Sequence, residues 1–246
     1  MDGDDLRLDF IVDENYLVSH TLASAEHGRF SSEESKQDIA AFQRDAWQES
    51  KDCYQLLVGK STPEVLTKSN LPGLSKSLSR FLESVKQGPS LANIYSQTIR
   101  YRNKCKKQWD RNYTRSNRIV HKVTGLNLNK SIIVYVTHPS LKNGQYMGGN
   151  RIGWGHNEDW KNYTTIYLWH EILHSYFDMK ELDHALISLA IDEELRIRLN
   201  GGKYPPFQAH QRLQPLMKRI LPYWKKYLVR DEHDILKFKR EIMSIF

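Results

Sequence analysis

Cysteine is nearly missing from this 246-residue chain: Cys53 and Cys105 are its only two, and their spacing matches no paired motif. That excludes a disulfide framework and a cysteine-based zinc site, and it fits a reducing compartment. Long apolar runs are missing too. None approaches the roughly 20 residues that cross a bilayer. The start, Met1-Asp2-Gly3-Asp4-Asp5, is acidic where a signal peptide would be basic and then apolar. A soluble cytoplasmic protein without a membrane partner is expected. Internal repeats and low-complexity segments are also lacking. The length therefore points to one large domain, or to a catalytic domain with a helical extension, able to bury a substantial core.

Charge is plentiful but unevenly placed. The formal net charge of +7 conceals an acidic front, with Asp2, Asp4, Asp5, Asp9, Asp13, Glu14, Glu26, Glu33, Glu34, Asp38, Asp45 and Glu49 among residues 1–50. Between residues 100 and 122 the balance reverses. Arg100, Arg102, Lys104, Lys106, Lys107, Arg111, Arg115, Arg118 and Lys122 face only Asp110, with Tyr101, Trp109 and Tyr113 interleaved. Such a mixture can hold nucleic acid through phosphate charge and base stacking. It equally describes an amphipathic helix with a solvated basic face, whose Ile99, Trp109 and Tyr113 pack inward. The second reading is preferred, because no recognition motif accompanies the charge.

Residues 1–125 read as mainly helical. Ser31-Ser32-Glu33-Glu34 looks like a helix start, and Ile39, Phe42, Trp47, Tyr54 and Leu57 follow at roughly helical intervals. Breaks are expected at Gly59–Pro63, Asn70–Gly73 and Gln87–Ser90, with Pro89 and Ser90 opening the helix that runs into the basic stretch. Gly59-Lys60-Ser61 looks like a phosphate-binding loop only superficially, since it lacks the preceding glycine and strand. After Gly125 the character changes. Ser131–Thr137 is a β-branched run of strand length, followed by the glycine-rich Gly144–Gly155, which together predict a short sheet. Helices are expected over the run containing His170, then from about Leu182 to Asn200, Gln211 to Leu228 and Asp234 to Ile245, with a break at Pro205-Pro206.

The most specific feature is His170-Glu171-Ile172-Leu173-His174, set in the apolar run Ile166-Tyr167-Leu168-Trp169. On a helix, residues four apart share a face, so His170 and His174 can present two imidazoles to one tetrahedral Zn²⁺. Glu171 then lies beside the metal as general base for activated water. A chance match is expected in roughly one chain in fifty of this size. The context argues further against chance: bulky apolar neighbours bury the polar trio, which then needs partners, and a metal is one.

A catalytic zinc takes three protein ligands, so the following helix is searched, where Asp192, Glu193 and Glu194 stand. Here the chain resembles the zincin metallopeptidases, in their gluzincin branch, where a glutamate on a downstream helix completes the site. Thermolysin-like enzymes place it as Glu194 lies, and aminopeptidases of the leukotriene-hydrolase type as Glu193 lies. Glu194 is preferred narrowly over Glu193, and the unused glutamate or Asp192 is a candidate acceptor orienting a ligand imidazole. The departures are that Lys180 stands where a metzincin has its third histidine, and Arg198 stands where thermolysin has an aspartate. His184, ten residues after His174, is an alternative ligand whose offset suits a different loop, and it reads rather as a core or orienting histidine. By the resemblance, Asn150–Trp154 would be the edge strand along a peptide-binding cleft, and an ordinary hairpin is the equal alternative.

The expectation is an α+β protein. A mainly helical N-terminal region, 1–125, precedes a zincin-like metallopeptidase domain, 126–246, with a small sheet, an HExxH helix, a ligand helix and C-terminal helices. The resemblance implies hydrolysis of a protein or peptide substrate through zinc-activated water, with Tyr204 and His210 as candidate oxyanion donors. The alternatives are a nucleic-acid-associated regulatory protein with a degenerate zinc domain, and a structural zinc module without turnover.

Overall fold

The computed structural model describes residues 6–24, 31–59, 75–178, 180–203, 207–208 and 210–246. Much of the acidic start, the breaks between residues 60 and 74, Pro205-Pro206 and Tyr204 lie outside them. The chain forms two compact units: Leu8–Lys106 with Ser131–Asn157, and Met1–Arg7 with Lys107–Lys130 and Glu158–Phe246. Neither coincides with a division at residue 125/126, because the chain passes repeatedly from one unit to the other.

The first unit combines helices with the sheet. Its helices are α1 (Glu14–Ala23), α2 (Glu33–Glu49), α3 (Lys51–Gly59), α4 (Lys76–Lys86) and the first half of α5 (Pro89–Thr124). Serine hydroxyls cap two of them: Ser32 accepts from the Ser35 amide at 3.1 Å and Ser75 from the Leu78 amide at 3.3 Å, satisfying donors the helix itself cannot. Leu78, Phe81, Leu82 and Val85 form the buried stripe of α4 and meet Leu17, Val18, Ile39 and Phe42 in one apolar core.

The sheet of this unit runs in the order β1-β2-β4-β3, with β1 at Arg7–Ile11, β2 at Ser131–Val136, β3 at Asn143–Tyr146 and β4 at Arg151–Gly155. β2 and β4 are parallel, Tyr135 opposite Gly153. β3 and β4 are antiparallel, Gly144 opposite Trp154. Gly153 has no room for a side chain, since a Cβ would overlap the Tyr16 hydroxyl and the Asn143 amide. The edge-strand expectation for Asn150–Trp154 is therefore corrected. β4 is paired on both sides, and its amides are already used within the sheet.

The second unit is helical. The rest of α5 leads into it, followed by α6 (Tyr163–Leu173) with a 3₁₀ turn at His174–Tyr176, and α7 (Glu181–Ser188). A π-helical turn at Leu189–Leu195 joins α7 to α8 (Arg196–Asn200). A 3₁₀ turn at Gln211–Leu213 then precedes α9 (Gln214–Tyr227) and α10 (Ile235–Met243). Gly125 ends α5 at φ 69°, where a Cβ would run into the His233 carbonyl, so only glycine serves as this stop. Among the described residues, no helix is long and apolar enough to cross a membrane.

Candidate metal centre

α6 is held in place by its neighbours before it contributes any chemistry. Its first turn exposes amides, and two side chains accept from them: Glu158 from Thr164 N at 3.1 Å and Gln108 from Thr165 N at 2.9 Å. Asn162, left-handed at φ 62°, bonds Asn200 at 2.8 Å and accepts from Asn112 at 2.9 Å. One turn on, Trp169 is fully buried, donates to Ser116 Oγ at 2.8 Å and packs its ring against Trp109 at 5.2 Å. These contacts pin the opposite side of α6 and fix where His170, Glu171 and His174 point.

α7 is anchored as firmly. The buried Asp183 accepts from the amides of Asp178 and Lys180 at the helix start and pairs with Lys239 at 2.7 Å. This places His184 against α6. One ring nitrogen from each of His170, His174 and His184 lies within 4.8 Å of the others, forming a group that could hold a metal ion. The ring centroids form a nearly equilateral triangle, with sides of 5.0, 4.9 and 5.1 Å.

That triangle has the right size. A ligating imidazole has its centroid about 3.2 Å from zinc, so two rings on tetrahedral vertices hold their centroids about 5.2 Å apart and their nitrogens about 3.3 Å apart. Nε2 of His170 and Nε2 of His184 are 3.0 Å apart. Nδ1 of His174 is buried without a hydrogen-bond partner among the described residues, which is costly for a polar atom in the interior. The residues fit a metal.

The surroundings of the triangle carry negative charge. Asp192 accepts from His170 Nδ1 at 2.9 Å, with both side chains almost fully buried, as a carboxylate orienting a metal-ligating imidazole does. Burial works to lower the His170 pKa. The charge and hydrogen bond of Asp192, with the charge of Glu171, outweigh it, and His170 lies above its ordinary value. His174 is pushed down to about 3 by burial and by the charges of His170 and His184. His184 falls to about 4 through burial, then His170 and His210, while Asp192 opposes the shift. Three rings facing one point accommodate one positive charge between them, either a proton on His170 or a cation, and imidazole ligates only when neutral.

Of the residues singled out in the sequence, His170 and Glu171 stand on α6 and His174 opens the 3₁₀ turn that follows it, with Glu171 buried beside His170. Glu193 and Glu194 are not among the residues whose ring or carboxylate atoms the structure brings together with those of His170 and His174. Glu193 is fully buried and bonded by Arg196 at 2.8 Å and the Gln208 amide at 2.6 Å. Glu194 pairs with Arg198 at 2.8 Å. The histidine that the structure brings together with His170 and His174 is His184, which the sequence offered as an alternative ligand but preferred as a core or orienting histidine, and Asp192 meets His170. His210, a candidate oxyanion donor, has its ring 5.3 Å from that of His184. An aromatic row not foreseen in the sequence lines the same side of α6: Tyr167 lies 6.1 Å from His170, Tyr163 4.4 Å from Tyr167, and Trp160 5.0 Å from Tyr163.

No protein-family model, curated protein or solved structure matches this chain. The three-histidine geometry therefore stands on its own physical terms.

Proposed function

We propose that this protein is a zinc-dependent metallopeptidase, zincin-like in this unit, that hydrolyses peptide bonds of a protein substrate with Glu171 as general base. The observation that carries the reading is the triangle of His170, His174 and His184, sized for one tetrahedral ion and flanked by a buried carboxylate on the same helical turn. Three protein nitrogens leave one vertex for water or substrate, which distinguishes a catalytic site from a closed structural one. Bound there, zinc would supply Lewis acidity towards a carbonyl and a lowered pKa for water.

The chain's own groups do the rest. His170, His174 and His184 would hold the ion as neutral rings, and Asp192 fixes the orientation of His170 by accepting its Nδ1 proton. Glu171, one residue after His170, holds the proton taken from the attacking water and returns it to the leaving amine. His210, whose ring lies 5.3 Å from that of His184, is the candidate donor to a developing oxyanion.

Elemental analysis of the purified chain, with cleavage of a mixed-sequence fluorogenic peptide set, tests the proposal. Stoichiometric zinc is expected in the wild type and in Glu171→Gln, with turnover in the variant lower by about 10²- to 10⁴-fold. Zinc without cleavage in either protein would leave a structural metal module, and absence of zinc would end the proposal.

A further inference from the structure

The basic stretch of the sequence resolves, in the structure, into a stripe. Within Lys107–Lys130 the cations Lys107, Arg111, Arg115, Arg118 and Lys122 follow one another at intervals of four, four, three and four residues, and all five are exposed. At 3.6 residues per turn they fall within about 80° of arc and extend about 22 Å along α5. The one acid of this segment, Asp110, lies outside the arc. Among the described residues none of the five has a carboxylate within ion-pair distance. Arg115 donates to the Arg198 carbonyl at 2.8 Å, which fixes its guanidinium without neutralising it.

Like charges at these spacings repel and weaken the helix that carries them. A solvated surface ordinarily intersperses the two signs, so an uncompensated row of this length is suited to a partner that brings the negative charge. The aromatics narrow the partner's chemistry. Trp109 is buried at 4% exposure, and the Tyr113 ring stacks on that of Trp169, with an interplanar angle of 8°. Neither ring is presented for stacking on bases. What remains is a straight row of cations and no base-reading group, which matches the regularly spaced phosphates of a duplex.

We propose that this stripe of α5 binds double-stranded nucleic acid through its phosphates, without regard to sequence. The proposal is independent of the peptidase reading, since it uses no residue of the metal centre.

The test is anisotropy of the full chain with a labelled DNA duplex of about 20 base pairs as salt is raised. With up to five phosphate contacts, log K against log salt should fall with a slope no steeper than about −4.5, and the double variant Arg111→Gln/Arg118→Gln should be shallower by about 1.8. Lys225→Gln/Lys226→Gln, which removes two exposed cations of α9, should leave the slope unchanged. Thermal melting confirms that each variant folds. The proposal is overturned if the duplex is not retained at low salt, or if the α9 pair flattens the slope as much as the α5 pair. Vesicles rich in acidic lipid that displace the duplex at equal charge concentration would also overturn it, in favour of a membrane surface.

Discussion

At the scale of single residues, the histidine-glutamate-histidine turn was legible because its geometry is local: helical spacing alone sets His170 and His174 on one face. The meeting of His184 with that pair was not, because it depends on where α7 docks against α6, and that is decided by remote groups such as Asp183 and Lys239. Acidic residues near a zinc turn also invite assignment as ligands. Glu193 and Glu194 instead meet Arg196 and Arg198 within the next turn or so of their own helix. These assignments separate in a metal titration. His184→Ala should weaken zinc by more than about 100-fold and Asp192→Asn by about 10- to 100-fold, since the aspartate acts only through His170. Glu194→Gln should keep the wild-type affinity. Zinc lost on Glu194→Gln and retained on His184→Ala would reverse the ligand assignment.

At the scale of elements, helices announced themselves through caps and periodic apolar residues, as at Ser32 and with Ile39 and Phe42 of α2. The sheet was half visible. β2 is a β-branched run, but β3 is Asn-Gly-Gln-Tyr, a sequence with little strand preference of its own, and it forms because β4 offers it a partner. The feature that moved the site is the π-helical turn Leu189–Leu195, where the Arg196 amide reaches back to the Ile191 carbonyl. A wider turn shifts every later side chain around the axis, and Asp192, inside this turn, meets His170. Such turns recur at functional sites. Deleting Ala190 should restore α-helical bonding and rotate Asp192 by about 100° relative to His184. Circular dichroism should show helix retained, while zinc affinity falls at least as far as in Asp192→Asn. Ala190→Gly, which keeps the residue count, should bind as the wild type does. A deletion variant with undiminished affinity would show that the π turn does not position the site.

For the whole molecule, acid is the condition that the buried histidines oppose. His20 and His138 belong to the first unit, and the histidine triangle to the second. Burial depresses each to about 4, with Asp38 partly offsetting the effect at His138. His138 is built for the neutral form. Its Nδ1 accepts from the Ser140 amide at 3.2 Å, leaving Nε2 to donate to Gln97 Oε1 at 2.7 Å. Unfolded, both rings take up a proton near pH 6.5. Between there and about pH 4 the unfolded chain binds more protons than the native one, so stability rises with pH and is lost as pH falls through that window. At pH 5 each ring contributes a loss of about 2 kcal/mol relative to pH 7. In metal-free protein His174 and His184 add losses of the same sign, while His170, held above its ordinary value by Asp192, acts in the opposite sense. Urea unfolding of the metal-free chain at the two pH values measures the sum. His138→Gln and His20→Leu should each reduce the difference by about 2 kcal/mol, whatever they do to stability at pH 7. A difference unchanged in both variants would mean that these rings titrate normally in the native state and that acid acts elsewhere.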